Sequence, residues 1–497
     1  MAENYYSMIP LLAVLVSLLA VPLIMISGRR PNLRESWTLM AALAKFLLVL
    51  SLLPRVLQGQ NAFIEILSIS PGVQLALRVD ALGVFFALIA SSLWILTSFY
   101  SIGYVRGLNE HKQTRYFASF AVCLSATIGI AFSANLLTFL IFYEVLTIAT
   151  YPLVIHKETE KAIRAGRKYL AFTLSAGLIL IVATAWLYQV VGSLDFRAGG
   201  IIAEGLFTPG AALTLFVLFF AGVGVKAAVM PLHGWLPTAM AAPTPVSALL
   251  HAVAVVKSGV FGVMRISGFV FGPQWLKEHG VAGFATVLAA FTIIIASLLA
   301  FRQDNLKRRL AYSTVAHLSY IVLGAFLLSY SGYFGGLLHI AGHASMKITL
   351  FFCAGAIYVN LHRENISELD GIGRKMPWTM GAFTLAALGL AGVPPLNGFV
   401  SKWFLGLGAV EGGQNLVLLV LVLSGLLNAA YFLPISYRAF FKSGQGLEKH
   451  GEASALMVVP LVLTAFISLL LGLFPDLFFS FFKLAGLVAG AVFAGGG

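Results

Sequence analysis

Long apolar runs separated by short polar loops recur along this chain from Met8 almost to its last residue. A helix needs about 20 predominantly apolar residues to cross the hydrocarbon of a bilayer, and the pattern predicts fourteen such spans. They start near Met8, Trp37, Ala81, Tyr116, Asn135, Tyr169, Ala211, Thr244, Val281, Leu310, Tyr333, Trp378, Gln414 and Ser454. The second is the weakest, because Lys45 interrupts it. A last apolar stretch, 478–494, reads as a fifteenth span, an interfacial helix or the end of the fourteenth. No interval is long enough for a separate extramembrane domain. Residues 1–497 are therefore read as one all-α polytopic membrane domain. Its parts are spans one to three over 8–104, a block over 116–267, a second block over 281–441, and a terminal span with its apolar tail over 454–497.

Composition sharpens this. The chain is 59% hydrophobic and 10% charged, against about 25% charged in soluble domains, which excludes a water-soluble enzyme. A net charge of +13 would suggest nucleic acid in a soluble protein. Here the basic residues sit in short loops between apolar runs, so the partner is the bilayer and no nucleic acid is expected. Of 32 Lys and Arg residues, 21 fall in alternate loops, among them Lys161, Arg164, Arg167 and Lys168 before span six. Positive loops face the cytoplasm, so with fourteen spans both termini are predicted to face away from it. The first apolar run has Arg29 and Arg30 after it and no basic residue before it. That is the reverse of a cleavable signal peptide, and the run is kept as a span. Cys123 and Cys353 both lie inside apolar runs, far apart, and read as neither a disulfide nor a thiolate metal site.

Four charged residues fall where charge is expensive. At mid-bilayer an ionised side chain costs about 2.5–3.5 kcal/mol on insertion scales, so each is a functional hypothesis by default. Glu144, Lys226, Lys257 and Lys347 lie well inside spans five, seven, eight and eleven, at similar depths. Burial would neutralise an isolated Glu or Lys, so the economical arrangement pairs Glu144 with a lysine. Such a pair is either a static tie between helices or a switch for proton transfer, and the remaining buried amines favour the switch. His339, His343 and Lys347 are spaced four residues apart and line one face of span eleven. Imidazole accepts and donates a proton near neutrality, as a proton path requires. Metal binding at His339 and His343 is opposed by the adjacent cation and the absence of a nearby carboxylate, and no metal site is expected. His251 in span eight and His317 in span ten read equally as relay members or as satisfied core histidines. Asp80 heads span three, where a carboxylate suits a helix N-terminus, and is a secondary candidate.

Two spans are interrupted. Span seven carries Lys226, Pro231 and Pro237, and span twelve carries Pro394, Pro395 and Lys402. Proline removes a helical hydrogen bond, tolerated inside a membrane where protein or a water-filled cavity covers the freed groups. The interruptions are five spans apart, an odd offset, so the two segments cross in opposite directions. Interrupted segments at matching positions are the sequence signature of a transporter built from inverted repeats, here spans four to eight and nine to thirteen. On a straight helix Lys402 would sit near the outer surface as a snorkelling anchor; unwinding at Pro394 and Pro395 would keep it inside.

These residues resemble the antiporter-like membrane subunits shared by respiratory complex I and Mrp-type multisubunit cation/proton antiporters. The resemblance covers nearly the whole chain. It rests on Asp80-Ala-Leu-Gly-Val-Phe-Phe86, Phe142-Tyr-Glu-Val145, the Lys226–Pro237 segment, Pro243-Thr-Pro-Val-Ser-Ala-Leu-Leu-His251, Ala254-Val-Val-Lys-Ser-Gly259, His339–Lys347 and Gly392–Lys402. It implies fourteen helices in two inverted five-helix units. It also implies that Glu144 and Lys226 form a switching ion pair, that Lys257 is the central relay lysine, that His317, His339, His343 and Lys347 connect the path, and that Lys402 is the distal lysine. By the resemblance, Lys at the distal position favours an Mrp D-type subunit over complex I members of this size, several of which carry Glu there, and a length near 500 residues argues against the larger A- or L-like members. The implied function is proton translocation within a multisubunit Na+/H+ antiporter of a prokaryotic cytoplasmic membrane, with other membrane subunits as partners. The alternative is a proton-pumping subunit of a redox-driven complex of the complex I, membrane-bound hydrogenase or CO2-uptake type. The chain shows no dinucleotide fingerprint or haem-type ligand set, so no cofactor is expected in it. A structural subunit without conduction and a polytopic membrane enzyme are the other classes considered. The enzyme is disfavoured because the longest loops, 58–80 and 192–210, lack clustered acids or metal ligands.

Overall fold

Hydrocarbon offers a backbone no water to bond, so a spanning chain closes its hydrogen bonds within helices. The computed structural model, which describes residues 3–70, 72–444 and 451–494, does so almost throughout. In chain order the elements are β1 (Glu3–Tyr6), α1 (Ile9–Ile26), α2 (Pro31–Leu57), β2 (Gln60–Ser70), β3 (Val73–Val79), α3 (Ala81–Gly107), α4 (Gln113–Ala131), α5 (Leu136–Val154), α6 (Glu160–Val191), α7 (Pro209–Lys226), α8 (Trp235–Thr238), α9 (Thr244–Ala252), α10 (Val255–Ile266), α11 (Pro273–Glu278), α12 (Ala282–Phe301), α13 (Leu306–Phe326), α14 (Tyr330–Leu361), α15 (Pro377–Ala391), α16 (Asn397–Glu411), α17 (Asn415–Phe441), α18 (Ala455–Leu473) and α19 (Phe481–Ala494).

Helices occupy all fourteen predicted segments. Among the described residues, twelve stretches are long and apolar enough to cross a bilayer on those grounds alone. The two that are not are α13, which carries Lys307, Arg308, Arg309 and His317, and the divided pair α15–α16. The tail ends in α19, which is separated from α18. Its 14 residues rise about 21 Å at 1.5 Å per residue, short of a hydrocarbon core of about 30 Å. It packs on α3 and α14 through Phe481 against Phe85 and Phe482 against Phe334, with ring centroids 5.1 and 4.8 Å apart. Lys449, counted among the cytoplasmic loop residues, lies outside the described residues, as do 495–497.

The interval 58–80 is not a plain loop. It holds β2 and β3, antiparallel with Ala62 opposite Val79, and β1 adds to β2 in parallel with Glu3 opposite Gln60. The alternation along Val73-Gln-Leu-Ala-Leu-Arg-Val79 is a strand signal submerged in a chain where most residues are apolar.

The core is organised by α14. It packs against α3, α9, α13, α15, α16, α18 and α19, and its residues 331–357 are buried without a break. A helix buried all round offers no polar face to water, so its His339, His343 and Lys347 can face only other helices.

The two predicted blocks share particular features. Asn135 and Asn305 cap α5 and α13 by accepting from the N–H three residues on, at 2.9 and 3.1 Å. Each then forms an isolated β-bridge past the next helix, to Asp195 and Asn365. α6 and α14 are both 32 residues long. The interruptions read Pro231-Leu-His-Gly-Trp235 and Pro395-Leu-Asn-Gly-Phe399.

Candidate functional site

The site starts where α7 stops. Beyond Lys226 the chain leaves the helix for a turn at 227–234, and the freed Val225 carbonyl accepts a 2.8 Å hydrogen bond from the Trp235 indole N–H. Lys226, fully buried, donates from Nζ to the Tyr143 carbonyl at 2.5 Å and lies 3.4 Å from the centre of the Tyr143 ring, a cation–π contact. Glu144 follows directly on α5 but points at α6, where Gly177 leaves room for the carboxylate that a Cβ would overlap. Its Oε1 has no hydrogen-bond partner. No ion pair within 4.0 Å joins Glu144 to Lys226 among the described residues. The two groups expected as a contact pair are neighbours held apart, with the amine resting on Tyr143.

Span eight holds a discontinuity that the sequence does not announce. α9 ends at Ala252 and α10 begins at Val255, and Val253 and Ala254 leave helical geometry between them. No proline or polar residue marks this place. The break puts Lys257 in the first turn of α10, where its Nζ meets His343 Nδ1 at 2.8 Å. α10 is locked to the end of α7 through Gly259, whose absent Cβ would collide with the Lys226–Ala227 backbone. Gly259→Ala is therefore expected to push α10 off α7, costing about 1–3 kcal/mol by overpacking. Proton flux should fall with it, because Lys226 and Lys257 separate. Thermal unfolding in detergent and flux in vesicles check this together.

From His343 the row continues across α14 and α13. His317 lies beside His343 with ring centroids 5.4 Å apart, and its Nδ1 meets His339 Nε2 at 3.1 Å. His339 Nδ1 meets Ser401 Oγ of α16 at 2.8 Å. Lys347 donates to Ser313 of α13. The Nε2 atoms of His317 and His343 are buried without a partner, so each ring keeps one nitrogen free to take or release a proton. His251 is buried but outside this chain of bonds: both its nitrogens lack partners and its ring lies on Phe351 at 4.7 Å.

Lys402 resolves in favour of the interior. Unwinding between α15 and α16 lets its half-buried side chain fold back, so that Nζ donates to the Leu390 and Ala391 carbonyls at 2.7 and 3.0 Å. A cation there offsets the negative end of α15. Tyr320 lies within 5.3 Å of the amine, and its own O–H donates to Ser424 at 2.6 Å. Pro231 and Pro395 sit within the two turns and Pro237 within α8.

Two further buried cations were missed or misplaced. Arg265 is not a loop residue: it is 1% exposed in α10. It clasps Asp80 with both terminal nitrogens, one at 2.8 Å. Asp80 also caps α3 by accepting from Gly83 N–H at 2.8 Å. Burial alone would push the Asp80 carboxyl up; the Arg265 guanidinium more than offsets this and holds it below the usual carboxylate range. An Asp 185 residues away in sequence is not a partner that local pattern can supply. Lys45, the flaw in span two, donates to the Ala13 carbonyl at 2.7 Å and so ties α2 to α1.

The fold is a helical membrane bundle with a row of amines and imidazoles buried at its centre. The chain belongs to the NADH:quinone oxidoreductase/Mrp antiporter transmembrane family, whose model matches residues 133–428. It is 33% identical to NADH-quinone oxidoreductase subunit N of Desulforudis audaxviator over 78% of this chain and 81% of that one. It is 31% identical to hydrogenase-4 component B of Escherichia coli over 66% of this chain and 50% of that protein. With a probable K+/H+ antiporter subunit of Rhizobium meliloti the identity is 32%, over 80% of this chain and 40% of that protein. The chain thus spans half or less of the latter two. Its fold matches a chain of the Mrp complex from Dietzia sp. at TM-score 0.87 and 20% identity, covering 98% of this chain and 97% of that one. It also matches a chain of the membrane-bound sulfane sulfur reductase, an archaeal respiratory membrane complex, at 0.88 and 22%, covering 98% and 99%.

Proposed function

We propose that this chain is the proton-translocating subunit of a multisubunit monovalent cation/proton antiporter, with Na+ as the coupled ion, in a prokaryotic cytoplasmic membrane with both termini outside. The observation that carries this reading is the row Lys257–His343–His317–His339–Ser401, buried at the meeting of α10, α13, α14 and α16 and hydrogen-bonded at every step but His343–His317, whose rings stack 5.4 Å apart. Each imidazole accepts a proton on one nitrogen and releases it from the other, so charge moves along the row without an ion crossing it. Lys226, with Glu144 on the neighbouring α5, stands at one end and Lys402 at the other, both lysines beside a helix break. Swinging the Lys226 amine from Tyr143 to Glu144 would alter the field on Lys257 and gate the row. The shared features of spans four to eight and nine to thirteen support inverted repeats around it. Exposed apolar side chains on α1 and α17, such as Ile26 at 83% and Leu416 at 80%, suit lipid and neighbouring subunits.

A redox-driven pump is the second reading, favoured by the extent of the match to the Desulforudis subunit N. Flavin or iron–sulfur absorbance in the purified native complex would support it and count against the antiporter. The direct test is vesicle transport by the whole assembly with Na+, K+ and pH varied. Lys226→Ala is expected to cut proton flux at least ~10-fold, a barrier change of about 1.4 kcal/mol, with assembly intact. Unchanged flux in an assembled variant rejects the assignment.

A further inference from the structure

On the side where Lys and Arg gather, away from the buried row, two turns meet. The α3–α4 turn brings Glu110 and His111; the α5–α6 turn brings His156. One ligand atom from each lies within 4.8 Å of the others. His156 is fully buried, and neither of its ring nitrogens has a hydrogen-bond partner. A buried imidazole normally spends at least one nitrogen on a neighbour; this one points Nε2 at Glu110 Oε2, 3.9 Å away, and stacks on the His111 ring at 5.1 Å. The Tyr116 ring meets it edge-on at 5.4 Å.

Two imidazoles and a carboxylate form the protein donor set of a four-coordinate zinc site whose last position is water. Bonds of about 2.0–2.2 Å place tetrahedral ligand atoms about 3.3 Å apart, so the gap from His156 to Glu110 must shrink by about 0.6 Å. Glu110 and His111, both on a surface turn, can supply that movement. The cations nearby are otherwise engaged. Lys112 and Arg115 both pair with Glu158, at 2.7 and 2.6 Å. Lys157 lies over the Tyr358 ring at 5.4 Å. Glu158 is also the competitor for His111, 3.8 Å from its Nε2.

We propose that Glu110, His111 and His156 bind one divalent transition-metal ion of the Zn2+ type, clamping the α3–α4 turn to the end of the Glu144-bearing helix α5. Magnesium is excluded by chemistry: two nitrogen ligands suit zinc, cobalt or nickel, while Mg2+ requires oxygens.

The test uses the whole purified complex, stripped with chelator, desalted and loaded with Co2+, whose visible spectrum reports tetrahedral coordination. The wild type should bind one more Co2+ per copy of this chain than His111→Ala or Glu110→Gln. Its tetrahedral bands should be bleached by Zn2+ and left unchanged by excess Mg2+. Both variants alter partly exposed turn residues and spare the packed His156. Equal Co2+ content and equal spectra in all three proteins would overturn the proposal. So would a wild type without tetrahedral bands, a result that needs no variant.

Discussion

Lys257→Met is expected to bring proton flux down to near that of empty vesicles while leaving the assembled protein as stable as before or more so. Methionine keeps the length and apolar stem of lysine and deletes only the amine. That amine is the partner of His343 Nδ1 at 2.8 Å, so its loss interrupts the row at its first link. A drop of ~100-fold corresponds to about 2.7 kcal/mol on the barrier, the scale expected when a relay loses a member. Stability should move the other way. Lys257 is fully buried, and no carboxylate lies within 4.0 Å of it among the described residues. Replacing buried charge by a well-packed apolar group is often neutral or stabilising by about 1–4 kcal/mol. Against this stands the unpaired His343 Nδ1, worth about 1–3 kcal/mol. The two nearly cancel, so the unfolding midpoint in detergent should hold or rise. A variant that loses stability and flux together would make Lys257 a structural tie instead of a carrier.

Arg265→Leu carries the opposite expectation, a large loss of stability. Its guanidinium is the partner of a carboxylate that is 16% exposed and spends itself on the α3 N-terminus as well. Removing one member of a buried pair leaves the other uncompensated, at about 3–5 kcal/mol. Arg265 also lies against Phe269, Phe261 and Phe196, with centroids 4.6, 5.2 and 5.2 Å away, and leucine fills that space only in part. Adding Asp80→Asn should recover much of the loss, because Asn caps helices about as well as Asp and carries no charge. A double variant no more stable than Arg265→Leu alone would place the damage in aromatic packing. Thermal unfolding of the three proteins separates the outcomes.

Why span eight was misread and span seven was not follows from what breaks a helix. Proline removes a helical hydrogen bond and shows in any sequence, so Pro231, Pro394 and Pro395 flag the interruptions, although Pro22, Pro54, Pro152, Pro434 and Pro460 sit inside continuous helices. The break at Val253–Ala254 has no such residue: α9 and α10 part there within tertiary packing, held by contacts such as Gly259 on the Lys226–Ala227 backbone. The three strands escaped for a related reason, since alternation is hard to see against a background of continuous apolar residues. Glu110, His111 and His156 drew no attention either. Each is an ordinary loop residue until two turns far apart in sequence are brought together.

Hydrophobicity over some twenty residues is a local quantity, and a charge stranded within such a run is conspicuous without any coordinates. By itself the chain therefore determined its spans, and it placed Glu144, Lys226, Lys257, His317, His339, His343 and Lys347 inside them, while Lys402 was left between surface and interior. Tertiary structure alone decided which of them touch. Direction depends on the rotation of each helix and on how far its ends unwind, and both are set by neighbours distant in sequence. That is why Lys226 rests on Tyr143 instead of Glu144, Lys402 turns back to the end of α15, Arg265 finds Asp80, and His251 stands apart from the row.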